Sequence, residues 1–167
     1  APLTYQAAKK LFPENERAAN ISAWIVAAYP ILLAYPLGLG TENPFFLLLL
    51  ASFLFLLQTI DNPRVFNFIL SGFFLGLTAL TRSVILPFAF LAILWIWFAQ
   101  KQKRGALLAA LALALTIIPW IARNSILHQK LTGIETSMGY NLYLGYYPQG
   151  NGSFVFGPSL DLLTILD

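Results

Sequence analysis

Residues 65–99 read VFNFILSGFFLGLTALTRSVILPFAFLAILWIWFA, an apolar stretch whose only amide and charged side chains are Asn67 and Arg82. A single helix of this length, at about 1.5 Å per residue, would exceed roughly 50 Å. It would bury Arg82 near its middle, which hydrocarbon penalises. It would also set Arg64 and Lys101 on opposite sides of a membrane. A tight helical hairpin turning at Thr81-Arg82-Ser83 removes both difficulties. Pro87 then falls in the early turns of the second helix, where its missing N–H does little harm.

Composition supports a membrane setting for that hairpin. Apolar residues make up 58% of the 167 and charged residues 10%, against about 25% charged in ordinary soluble domains. A soluble fold has no means of hiding so much apolar surface, so the sequence predicts an all-α integral membrane protein. No basic stripe exists to bind nucleic acid. There are no cysteines and a single histidine, His128, so thiol chemistry and histidine- or cysteine-based metal sites are not expected. No cofactor is evident. The chain opens at Ala1-Pro2-Leu3 and ends mid-pattern at Leu163-Thr164-Ile165-Leu166-Asp167, and it is read as an internal piece of a longer protein.

Working outward from the hairpin, residues 1–12 have helical spacing and precede a turn at Pro13-Glu14-Asn15-Glu16. Five apolar runs follow: Ala18–Tyr35, Pro44–Leu57, Val65–Leu80, Val84–Ala99 and Gly105–Ala122. Each is shorter than the roughly 20 residues that span the hydrocarbon, so flanking polar residues must complete the crossings. About five transmembrane helices are expected, with residues 1–17 as an interfacial segment on the cytoplasmic side and 18–123 as the membrane region. Residues 124–167 form a mixed segment beyond it. Five crossings collect Lys9, Lys10, Arg17, Arg64, Lys101, Lys103 and Arg104 on one side, and Arg82, Arg123 and Lys130 on the other. The positive-inside rule makes the first side cytoplasmic. The expected location is therefore a multi-pass protein of the plasma or inner membrane, with the lipid bilayer as its partner and residues 124–167 extracytoplasmic. In that segment Tyr140–Tyr147 alternates and reads as an extended strand, and Gln149–Ser153 reads as a loop.

This topology gathers Glu42, Arg82 and Arg123 at the outer ends of helices. Ionisable groups at such depth are costly and often functional, and two arginine forks suit a phosphate. Each also has a local explanation. Thr41 would cap the second run and Glu42 would offset its positive end. Arg82 and Arg123 would follow helix C-termini, where cations are favoured. Tyr140, Tyr143, Tyr146 and Tyr147 suit an interfacial aromatic belt as well as a sugar face. Asn151-Gly152-Ser153 matches the short glycosylation pattern, which is common by chance.

Several stretches, taken in order, resemble a known family. These are Ala28-Tyr29-Pro30, Gly40-Thr41-Glu42-Asn43-Pro44-Phe45-Phe46, and Gly76-Leu77-Thr78-Ala79-Leu80-Thr81-Arg82. The resemblance is strongest at Pro119-Trp120-Ile121-Ala122-Arg123-Asn124 and at Gly139-Tyr140-Asn141-Leu142-Tyr143-Leu144-Gly145. Together they are similar to the polyprenyl-phosphate-dependent membrane glycosyltransferases of GT-C type, close to protein mannosyltransferases and aminoarabinose-type transferases. The resemblance implies an enzyme that moves a sugar from a lipid-linked donor to an acceptor on the outer face. It places the catalytic acidic residue upstream of residue 1, so that this chain alone would be inactive. It implies Arg82, Arg123 and Glu42 as donor-phosphate contacts, and Tyr140, Asn141 and Asn124 as pocket residues, with no metal ligand. A transporter or flippase of an anionic or lipid-linked substrate, and a non-catalytic membrane subunit, are the rival readings of the same charges.

Overall fold

The computed structural model describes residues 1–34 and 41–146. Every regular element among these residues is helical. Helix α1 spans Pro2–Leu11, α2 Glu16–Ala28, α3 Pro30–Ala34 and α4 Glu42–Asp61. Helix α5 spans Val65–Thr81, a single 3-10 turn covers Ser83–Ile85, and α6 spans Leu86–Phe98. Helix α7 spans Lys103–Leu127 and α8 spans Met138–Tyr146.

The hairpin forms as expected. Helix α5 stops at Arg82, whose extended backbone (φ −148°, ψ 113°) ends the α-helical run. Pro87 sits at the start of α6, where its ring fits the first turn. Two helices, Glu42–Asp61 and Lys103–Leu127, are long and apolar enough to cross a membrane, while Val65–Thr81 and Ser83–Phe98 are shorter apolar helices. At about 1.5 Å per residue α7 reaches roughly 37 Å and α5 roughly 25 Å. Large side chains such as Trp24, Phe66, Phe90, Phe98 and Leu115 stand exposed around the bundle. In water such a surface would drive association, and against lipid tails it is stable.

Helix α5 is the centre. It packs on α4 through Phe55 and Phe74, stacked with ring centroids 5.2 Å apart. It meets α7 along a stripe of small residues. A Cβ on Gly72 would lie 2.1 Å from the Ala109 carbonyl oxygen, and one on Gly76 would lie 2.7 Å from Thr116 Cβ. Phe68 fills the space beside Gly105 in the same way, 2.5 Å from where its Cβ would be. Helices that cannot gain from burying apolar area in lipid associate through such close backbone approach. The pairs advance together along both helices, so α5 and α7 run parallel, with α4 and α6 antiparallel to them.

This weave sorts the charges between two ends of the bundle. At one end Lys10 bonds Asp61 at 2.5 Å, tying α1 to the end of α4. Thr59 joins α4 to the turn after α6 at the same end, through Gln100 Nε2 donating to Thr59 Oγ1 at 2.9 Å. At the other end lie Glu42, Arg82 and the segment after α7. These contacts put Lys10 and Asp61 at one end of the bundle and Glu42 and Arg82 at the other.

Four expectations are corrected. The run Ala18–Tyr35 is not one helix. Tyr29 takes an extended conformation (φ −68°, ψ 114°) between α2 and α3, because the residue before a proline is driven out of the helical region. Arg123 does not follow a helix end, since α7 continues through Pro119 to Leu127. A membrane helix absorbs an internal proline when neighbours satisfy the freed backbone groups. Thr41 stands at the N-cap position of α4 but makes no side-chain cap bond. Finally, Tyr140–Tyr146 is helical rather than extended. The turn is started by Asn141 N–H donating to the Ser137 carbonyl at 2.9 Å, and four alternating residues are too few to exclude a helical period. Tyr147, the Gln149–Ser153 loop with its Asn151 pattern and the stretch 161–166 lie outside the described residues.

Candidate functional site

The end of the bundle that holds Arg82 carries an open cavity of about 970 Å³. Three parts of the chain build it. The α5–α6 turn supplies Thr81, Arg82, Ser83 and Pro87, α7 supplies Trp120, and the segment after α7 supplies Ile134, Glu135 and Asn141. Thr41 closes it from the start of α4.

Arg82 is fixed by α4. Its Nη2 pairs with Glu42 Oε1, its Nε donates to Thr41 Oγ1 at 3.5 Å, and its guanidinium lies 6.0 Å from the centre of the Phe45 ring. The hydroxyl that the sequence assigned to capping α4 thus serves the arginine instead. Among the described residues the Nη1 hydrogens carry no hydrogen bond, so the guanidinium keeps donors for an incoming anion. Glu42 is the more enclosed partner, with its side chain 21% exposed against 44% for Arg82. The carboxylate orients the guanidinium from behind while the guanidinium reaches the cavity.

Glu135, which sequence reading did not single out, sits across from this pair. Its Oε2 accepts from Ser83 Oγ at 2.7 Å. Its Oε1 accepts from Ser137 Oγ at 2.9 Å and from Asn141 Nδ2 at 3.0 Å. The Ser83 bond above all, then the Ser137 bond, holds its carboxyl below the ordinary carboxylate value; burial opposes them, and the Asn141 bond adds the least. The residue is ionised at neutral pH. Ser83 and Glu135 are 52 positions apart, so no local spacing announces their meeting.

The segment carrying Glu135 is tied to α7. Trp120 Nε1 donates to the Ile134 carbonyl at 3.2 Å. Asn124, buried at 4% exposure, donates through Nδ2 to the carbonyls of Gly133 at 3.4 Å and Ile134 at 3.2 Å. Arg123 stacks 4.9 Å from the centre of the Trp120 ring, and its Nη1 donates to Asn124 Oδ1 at 3.2 Å.

The residues singled out in the sequence therefore divide. Arg82 and Asn141 line the cavity, and Glu42 stands directly behind Arg82. Arg123 and Asn124 do not line it and instead support Trp120 and the segment that close one wall. Tyr140 lies near the start of α8. No group of three or more histidines, cysteines or carboxylates that could hold a metal occurs among the described residues.

No curated protein and no solved structure matches the chain. Residues 2–122, from α1 to within α7, match the family model described as dolichyl-phosphate-mannose-protein mannosyltransferase. That span includes the whole α4–α5–α6 frame of the cavity, with Glu42, Arg82, Ser83 and Trp120. Helical throughout its described residues, apolar on its outer faces and matched over most of its length, the chain belongs to the dolichyl-phosphate-mannose-protein mannosyltransferase family of membrane glycosyltransferases.

Proposed function

We propose that this chain forms the donor-phosphate portion of a GT-C type enzyme that transfers a sugar from a polyprenyl-phosphate carrier to an acceptor on the outer face of the membrane. The observation that carries this reading is Arg82. It is a guanidinium held by Glu42 and Thr41 that lines a cavity at the end of an apolar bundle. The opposite end collects the basic cluster of Lys10, Arg64, Lys101, Lys103 and Arg104, which supports an outward orientation for Arg82. Five crossings and an extracytoplasmic 124–167 belong to the same proposal.

The chemistry is displacement at the anomeric carbon. The acceptor oxygen forms a bond to that carbon as the bond to the phosphate oxygen breaks. The electron pair leaves with the polyprenyl phosphate, and the acceptor proton passes to a carboxylate base that the family resemblance places upstream of residue 1. Arg82 faces the oxygen on which negative charge grows, which is where a preorganised donor lowers the barrier. Arg123 has a supporting place behind Trp120.

Transfer of labelled mannose from polyprenyl-phosphate mannose by the full-length membrane enzyme tests the reading. Arg82→Ala is expected to abolish most turnover while the protein still inserts. Wild-type turnover in that variant overturns the assignment.

A further inference from the structure

The cavity has one charged group of each sign on its lining, Arg82 and Glu135. A phosphate is drawn to the first and repelled by the second. Glu135 is useless for phosphate recognition, yet three donors from two separate segments hold it in one geometry. An ionised carboxylate accepts hydrogen bonds only, and neutral hydroxyls are the groups that donate them without bringing charge. Beside it lie Asn141, which bonds the same carboxylate, and the ring of Trp120, whose Nε1 is pinned to Ile134. A carboxylate, an amide and an oriented indole suit a polyol.

We propose that Glu135 is a specificity-determining residue that reads hydroxyl groups of the donor sugar. The inference rests on the reading of the cavity as a sugar-phosphate site and adds a polarity to it. The phosphate lies toward Arg82, the sugar toward Glu135, and the polyprenyl chain leaves past Val84 and Leu86, which line the same cavity and are exposed apolar side chains. Glu135 lies beyond the residues matched by the family, 2–122.

The test is binding to the full-length enzyme in detergent, with two probes, polyprenyl-phosphate mannose and bare polyprenyl phosphate. Wild type is expected to prefer the mannosylated lipid. Glu135→Ala is expected to lower that preference about tenfold or more, the scale of a lost hydrogen bond to a charged group, and to leave bare phosphate binding unchanged or tighter. Ser83→Ala removes one tether but keeps the carboxylate, and is expected to retain most of the preference. If Glu135→Ala keeps the preference, or if both variants lose it equally, Glu135 is only a tether and the proposal falls. If wild type binds the two lipids equally, the phosphate site stands and the sugar-reading role falls. If wild type binds neither, the donor-site reading fails and this inference fails with it.

Discussion

Gly72 of α5 and Ala109 of α7 meet backbone against backbone, so closely that a Cβ on Gly72 would sit 2.1 Å from the Ala109 carbonyl oxygen. The obstacle is main chain, which has no rotamer to move aside. The two helices must separate to admit even one methyl group, and the Phe68–Gly105 and Gly76–Thr116 contacts above and below separate with them. Gly72→Ala is therefore expected to destabilise the bundle by about 1–3 kcal/mol, the usual cost of overpacking. A lowered midpoint of thermal unfolding in detergent is the check, and an unchanged midpoint would show that the helices part freely. Because α5 and α7 carry opposite walls of the cavity, turnover should fall in the same variant.

Arg82 and Arg123 are both arginines at the same end of the bundle, but their surroundings predict different kinetics. Arg82→Ala removes the cavity cation and is expected to cut turnover by about 100- to 1,000-fold, as for other preorganised donors at a growing negative charge. Arg82→Lys keeps charge without the planar fork and should recover only part of the loss. Glu42→Gln leaves the guanidinium present but less firmly aimed, so its effect should be smaller than that of Arg82→Ala. Arg123→Ala should be the mildest of the four, since Arg123 acts through Trp120. Equal losses at Arg82 and Arg123 would instead place both on the phosphate.

These contrasts also mark what the sequence made legible. The hairpin at Arg82 followed from the cost of burying an arginine mid-helix, and the two-ended sorting of charge followed from it. Glu42 and Arg82 could be assigned to one end because each stands at a helix boundary. What could not be read were facts decided by tertiary contact. Arg123 looked like a helix-end residue because Pro119 and the polar residues after Ala122 resemble a stop, yet packing carries α7 on to Leu127. Tyr140, Leu142, Leu144 and Tyr146 fit period two over a stretch too short to exclude a helix. Glu135 drew no attention because its meaning lies in Ser83, on the far side of two helices. Thr41 was given a capping role that its hydroxyl forgoes for Arg82.

At the opposite end of the bundle, Thr59 is buried at 1% exposure, where its Oγ1 donates to the Leu56 carbonyl at 2.6 Å and accepts from Gln100 Nε2. Thr59→Val preserves shape and removes the acceptor, leaving the Gln100 amide half-buried without that partner. The expected cost is about 1–3 kcal/mol, seen as a lower unfolding midpoint with donor binding unchanged, since the cavity is at the other end. The double variant Thr59→Val with Gln100→Leu removes both polar partners and should recover part of the loss. Failure to recover would locate the cost in the helix bond to Leu56 instead.

The last prediction concerns the segment that carries Glu135, which is fastened to the α5–α6 turn by the bond from Ser83. The folded carboxyl titrates below its ordinary value of 4.5, so the unfastened segment binds a proton more readily than the fastened one. The tether's contribution is therefore complete above the ordinary value and is lost as pH falls through the depressed one. Pepsin, active in acid, should cut between α7 and α8 increasingly as the pH drops below 4.5 in wild type. In Glu135→Gln, which has no charge to lose, cleavage should already be elevated and should depend on pH only as pepsin itself does. If cleavage of the wild type and of Glu135→Gln rises in parallel, the carboxylate does not hold the segment.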